Sequence, residues 1–329
     1  MTAHGRNLVP MLAIGAVALI VPFLLPDYRI QLALLWIMIL FALTWDIMGG
    51  QMGYNSFGNI LYFGIGMYVC AVFQRDAGFD YFPGLFIGLG AAAIVSVVIA
   101  AVLGAGLLGL RGHYFAIGTL GLGIAAGEIA SGWDYIGAGS GMVTPVFPGE
   151  IGGRQTFFYF ASFVLAVVTF LVLKRIYAGR FGLAINAIRD DEDKAEAMGL
   201  HTTRYKTVAW CVSAFFLGIA GGLVGNLIGF IDPRDVAFAG ATYGVFMVLM
   251  AILGGKGTLW GPVIGATVFH VMQEVFWTYL LGWQRVALGL LIVVIVVFFP
   301  QGILGWVREH FPERFGIRVE TATDDADAR

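Results

Sequence analysis

Long apolar runs, unbroken by charge, constrain this chain more than any other feature. "GLFIGLGAAAIVSVVIAAVLGAGLL" fills residues 84–108 without one ionisable side chain. About 20 such residues in a helix cross a hydrocarbon core of about 30 Å. Ten stretches have this character: 8–26, 30–48, 56–73, 83–108, 114–130, 157–174, 207–230, 238–254, 259–281 and 285–300. Backbone N–H and C=O groups in lipid must be satisfied internally, so such stretches are expected to be helices. Spanning strands would be shorter and would alternate, and these runs do neither. The expectation is therefore an all-α, polytopic membrane protein. Composition agrees, with 59% hydrophobic and 12% charged residues among 329, where soluble domains are nearer half and a quarter.

The first run follows Arg6 and has no small-x-small cleavage pattern, so it is read as a retained span. Cys70 and Cys211 both lie in apolar runs and read as small buried hydrophobes, with no disulfide implied. No metal-ligand cluster and no nucleophile–base pairing stands out, so neither a metal site nor a catalytic residue is expected. Nothing points to nucleic acid.

Charge distribution orients the chain. With ten spans and both termini on one side, that side carries fourteen Lys and Arg residues: Arg6, Arg111, seven in the 174–206 connection, Lys256 and four in the C-terminal segment. The opposite side carries five: Arg29, Arg75, Arg154, Arg234 and Arg285. Excess Lys and Arg marks the cytoplasmic side. Both termini and residues 175–206 are thus expected inside. Residues 1–312 read as one transmembrane domain, and the tail 313–329, ending "ETATDDADAR", as disordered. The Gly- and Pro-rich connection 131–156 reads as an external loop.

The densest charge falls in "NAIRDDEDKAEAMGLHTTRYK", residues 186–206, with nine charged side chains and a histidine. Asp190 reads as the cap of a short helix, with Asp191, Glu192 and Asp193 in the first turn, where acids complement the helix dipole. "KAEAM" continues it, and Gly199 stands just past its end, where glycine is preferred. About nine residues give roughly 13 Å. That is too short to cross a bilayer and marginal alone in water, so the helix needs a surface to lie against.

This segment resembles the cytoplasmic segment of bacterial ABC-importer permeases, in the LivM-type branched-chain amino-acid group. The matching positions are Gly179, Arg180, Ala187, Ile188, Arg189, Asp191, Glu192, Ala195, Gly199, Leu200, Tyr205 and Lys206. Lys194 departs from the pattern, where a small residue is common. "GGQMGYNSFGNILYFGIGMYV" (49–69), "RGHYFAIGTLGLGIAAGEIASGW" (111–133), "GGKGTLWGPVIGA" (254–266) and "VVFFPQGILG" are similar to further family segments, in order along residues 45–306.

The resemblance implies a permease subunit in the bacterial inner membrane that forms half of a pathway for branched-chain or other hydrophobic amino acids. It implies a second, homologous permease, two cytoplasmic ATPases holding ATP-Mg, and an extracytoplasmic binding protein. Arg189, Asp190, Asp191, Glu192, Ala195 and Gly199 would form the coupling element. The chain itself is expected to hold no cofactor and hydrolyse no ATP. "LGGKGT" is not a phosphate-cradling loop, because Gly257 follows the lysine where Ser or Thr is required.

For the pathway, the residues point to "GGQMGYNSFGN", whose glycines disfavour continuous helix. Irregular backbone at membrane depth survives where protein or a wet cavity surrounds it. Gly53, Asn55, Ser56, Gly58 and Asn59 are candidates there, and Glu128 is a sixth. The bland alternative is close helix packing through small residues. Urea, short amides or another small carboxylate are alternative solutes. A rival class is an ion-coupled transporter using Asp46, or His270 and Glu274, which share a helix face.

Overall fold

The computed structural model describes residues 8–298 and 301–310. Among the described residues, regular structure is helical apart from one minimal strand pair. Helix α1 (Leu8–Leu24) meets α2 (Arg29–Gly49) through a 3₁₀ turn at Pro26–Tyr28. There Arg29 Nε donates to the Pro22 carbonyl at 2.9 Å. Next come α3 (Asn59–Asp76), α4 (Tyr81–Leu107), α5 (His113–Gly132) and α6 (Ile151–Tyr177). Two short helices, α7 (Arg180–Asp190) and α8 (Glu192–Ala197), lead into α9 (Thr202–Ile228). The chain continues through α10 (Phe246–Gly254), α11 (Gly261–Tyr279), α12 (Gln284–Phe298) and α13 (Gly302–His310).

Among the described residues, five helices are long and apolar enough to cross a bilayer: Pro26–Gly49, Tyr81–Leu107, His113–Gly132, Ile151–Tyr177 and Thr202–Ile228. The other expected spans fall on shorter or more polar helices. Helix α3 ends in Gln74, Arg75 and Asp76, α11 carries His270, Gln273 and Glu274, and α1 and α12 have 17 and 15 residues.

The interior is built around α9, which packs most extensively on α4 and α3. Small residues make this possible. A Cβ at Gly66 would overlap the peptide of Gly218, and one at Gly221 would overlap the Phe63 carbonyl. Close backbone approach of this kind holds helices together in a medium without a hydrophobic driving force. Tyr62 and Trp210 meet edge-on at 5.6 Å, both buried. Ser213 Oγ donates to the Thr44 carbonyl at 2.7 Å, tying α9 to α2. Asn226 donates to Gln74 at 2.8 Å and accepts from Tyr81 at 3.0 Å, joining α9, α3 and α4 at one end of the molecule.

Three expectations are corrected. The 238–254 stretch is not one α-helix. It is π-helical at Gly240–Val245 and α-helical only over α10, and a further π-helical turn, Pro233–Ala237, precedes it. Gly240 and Gly244 supply neither side-chain packing nor helix propensity, which leaves the wider turn accessible. Within 131–156, Met142–Val143 pairs antiparallel with Phe230–Ile231. The nine-residue helix from Asp190 is two elements instead. Asp190 ends α7, and the break and cap fall at Asp191, whose side chain accepts from the Lys194 N–H at 3.0 Å. Asp191 is extended (φ −164°), as a capping residue requires. The proposed tail 313–329 lies outside the described residues.

Candidate functional site

The short helix α8 has the surface it needs. Its outward side carries Asp193, Lys194, Glu196, Ala197 and Met198, all exposed, with Met198 at 85%. Its inward side carries Ala195, buried at 3%, and Glu192. Gly199 adopts φ +90°, the left-handed conformation that ends a helix, and its N–H reaches the Glu196 carbonyl at 2.9 Å. The Leu200 N–H returns to Ala195 at 3.1 Å and completes the C-terminal cap.

Glu192 is the anchor. One carboxylate oxygen is ion-paired with Lys206 Nζ on α9 and the other accepts from the Tyr54 hydroxyl. Lys206 is buried, with its side chain 2% exposed. Its Nζ also donates to Tyr54 Oη at 2.7 Å and to the Leu108 carbonyl at 3.3 Å. An ammonium has three donors, and all three are matched here. The ammonium also lies 4.2 Å from the Tyr54 ring centroid. Phe115 packs edge-on against that ring at 5.4 Å. Burial, with the hydrogen bond to Glu192, pushes the Tyr54 hydroxyl up, so it remains a neutral donor. For Glu192, burial acts to raise the carboxyl, but the hydrogen bonds from Lys206 and Tyr54 outweigh it and hold the group below its ordinary value.

Arg111, in the α4–α5 connection, covers the outside of this cluster. It lies 2.7 Å from Asp193, 3.7 Å from Glu192 and 4.0 Å from Glu196. Thr202 Oγ1 donates to Glu196 at 3.1 Å. The charged helix is thus fastened to the α2–α3 connection through Tyr54, to α4–α5 through Leu108 and Arg111, and to α9 through Lys206.

A second junction adjoins it. Arg189 runs over Gly53, where a Cβ would meet the Arg189 Cγ at 3.2 Å, and its guanidinium is paired with Asp190 at 3.1 Å. Gly53 has φ +80°, which a side chain would strain. Asp46, in the last turn of α2, accepts from the Gly257 N–H at 2.7 Å, and Gln51 Nε2 donates to the Gly257 carbonyl at 2.9 Å. The glycine-rich 49–58 and 254–258 connections are therefore bound to each other under the end of α7.

The sequence pattern over residues 30–298 matches the family described as branched-chain amino acid transport system / permease component. The chain belongs to this permease family. The permease is 26% identical to the high-affinity branched-chain amino acid transport system permease protein LivM of Salmonella typhimurium, over 93% of this chain and 77% of that protein. LivM of Escherichia coli K12 gives the same identity and coverage. LivH of Salmonella typhimurium is 32% identical over 43% of this chain and 46% of its own length. No solved structure matches the permease.

The six coupling candidates divide by role in the permease. Glu192 and Ala195 face inward, Asp191 and Gly199 set the ends of α8, and Arg189 and Asp190 close α7. Of the outward face, the sequence reading places Asp193 in the first turn and Lys194 in the helix that follows, without giving either a coupling role. It did not single out Tyr54, and it named Lys206 only as a matching family position and Arg111 only as a cytoplasmic charge, not as anchors of the helix.

The pathway candidates do not form one cluster. Ser56 and Asn59 are fully buried, with Ser56 Oγ 3.4 Å from Asn59 Oδ1 and accepting from the Gly58 N–H at 3.3 Å. Among the described residues, Asn59 Nδ2 has no hydrogen-bond partner. Gly58 lies against Thr119 of α5, whose hydroxyl accepts from the Phe57 N–H at 3.1 Å. Asn55 is exposed. Glu128 is exposed at the opposite end of α5, paired with Arg234 at 2.9 Å. His270 Nε2 lies 2.9 Å from the Gln31 carbonyl rather than on Glu274, and ties α11 to α2.

Proposed function

We propose that this chain is the membrane-embedded permease subunit of an ATP-driven importer for branched-chain or similar hydrophobic amino acids. It sits in the bacterial inner membrane with ten membrane-crossing segments and both termini inside. It forms half of the solute pathway beside a second permease of the same family. Two ATPase subunits, which carry the ATP-Mg, grip the outward face of α8, and an extracytoplasmic protein delivers the solute. The observation that carries this reading is the fastening of α8: a push on its exposed face is transmitted through Glu192 to three separate membrane elements.

Tyr54, Leu108, Arg111, Lys206 and Gly257 gather at one end of the helices, while Arg75 meets Tyr135 and Glu128 meets Arg234 at the other. This alternation supports the inside–outside order. The buried amide of Asn59, with Ser56 and Gly58, is the best-supported part of the pathway, because transporters use irregular backbone to face polar solutes. Gly53 and Asn55 lie toward the coupling end, and Glu128 with Arg234 would stand at the outer mouth.

Reconstitution with the partner subunits tests the reading. Leucine uptake should require ATP and should stop when Glu192 is replaced by Trp, with membrane insertion retained. Uptake by this chain alone under an ion gradient, without ATP, would replace it with the ion-coupled reading. Uptake of urea or a short amide in place of leucine would change the solute alone.

A further inference from the structure

An apolar groove of about 840 Å³ runs between α1, α2, α6 and α11. Its walls include Val21, Leu35, Trp36, Val263, Ile264 and Val268. An apolar cavity of about 150 Å³ stays dry and admits benzene, so this groove has room for hydrocarbon chains. At Thr258 and Leu304 it adjoins a second pocket, of about 420 Å³, which those two residues also line. The second pocket is polar and carries Lys256, Gln301 and Glu309. Lys256 and Glu309 are both exposed. One ammonium and one carboxylate therefore flank the mouth of a hydrocarbon-sized groove, on the same side of the molecule as the Asp46–Gly257 junction.

We propose that this groove and its polar mouth bind a phosphatidylethanolamine-type phospholipid. The acyl chains lie along α2 and α11, and the headgroup rests at the α10–α11 connection. Charge complementarity selects the headgroup. Lys256 offers charged N–H donors to the phosphate. Glu309 accepts from the ethanolammonium, and Gln301 has both a donor and an acceptor. A choline headgroup has no N–H for Glu309, and a glycerol headgroup brings no cation to it. The lipid would link α13 to the 254–258 connection, which is itself bonded to Asp46 and Gln51.

The assembled transporter, exchanged into detergent from vesicles of mixed phosphatidylethanolamine, phosphatidylglycerol and phosphatidylcholine, tests this by native mass spectrometry. Phosphatidylethanolamine should be retained at least fivefold over the other two. Lys256→Glu should cut retention at least tenfold, and adding Glu309→Lys to it should restore retention. Ile264→Trp, which fills the groove, should also abolish retention; Val268→Trp repeats the test should the first variant fail to assemble. Equal retention of all three lipids, or indifference to Lys256→Glu, would overturn the proposal. So would retention that appears only after residues 311–329 are removed, which would make the chain's own tail the occupant.

Discussion

The Glu192–Lys206 pair offers the sharpest energetic test. Its side chains are 12% and 2% exposed, so the charges are poorly reached by water. Removing one partner of a buried pair costs about 3–5 kcal/mol, because the other charge is left uncompensated. Glu192→Gln leaves Lys206 with neutral acceptors alone, Tyr54, the Leu108 carbonyl and the new amide oxygen, so the ammonium keeps its hydrogen bonds but loses its counter-charge, and a cost within that range is expected. Lys206→Met is milder, since Glu192 keeps Tyr54 and has Arg111 at 3.7 Å. About 1–3 kcal/mol is expected there, between an exposed and a fully buried pair. The double variant removes both charges at once and should cost no more than Glu192→Gln alone. The coupling energy should then be at least as large as the Lys206→Met cost, about 1–3 kcal/mol, where independent sites add to within about 0.5 kcal/mol. Unfolding free energies of the four proteins in mixed micelles give the value. Additive single effects would refute the reasoning and reduce the cluster to a surface contact.

Three further outcomes follow from the same geometry. Gly199 has φ +90° with open space around its Cβ position, so Gly199→Val acts through backbone strain alone; it should cost about 1–2 kcal/mol and lower ATP-dependent uptake per inserted protein, as measured in vesicles. Gly221→Leu drives a side chain into the Phe63 carbonyl and should destabilise the α3–α9 contact by about 1–3 kcal/mol or more, read as a loss of folded protein in mild detergent. The Glu192 carboxyl is held below its ordinary 4.5, so its contribution should be complete above pH 4.5 and lost as pH falls through the lowered native value; the stability gap between the wild-type protein and Glu192→Gln, followed by pH titration, should close in that direction.

The helical, membrane-crossing character was legible because apolar runs and backbone satisfaction leave few alternatives. The end of α8 was legible too, since Gly199, lacking a Cβ, adopts a left-handed cap without strain. The start was displaced by one residue because four consecutive acids, Asp190 to Asp193, all suit a helix N-terminus and only the backbone break decides which one caps. The anchors were hidden for a different reason. Lys206 finds Tyr54 across 152 positions and the Leu108 carbonyl across 98, and no local pattern encodes such distances. The π-helical stretch before α10 was also invisible, because hydropathy senses the side chains and not the turn width. Glu128 stood out in the sequence as an acid within an apolar run, but its partner Arg234 lies 106 positions away and could not be read from local pattern.

The central claim is that the exposed face of α8 is where an ATPase subunit grips the chain. A single cysteine at Met198, in a background with Cys70 and Cys211 replaced, should cross-link to the co-assembled ATPase with a yield that changes when ATP is added. Absence of any cross-link from Met198 while ATP-driven uptake continues would contradict the account.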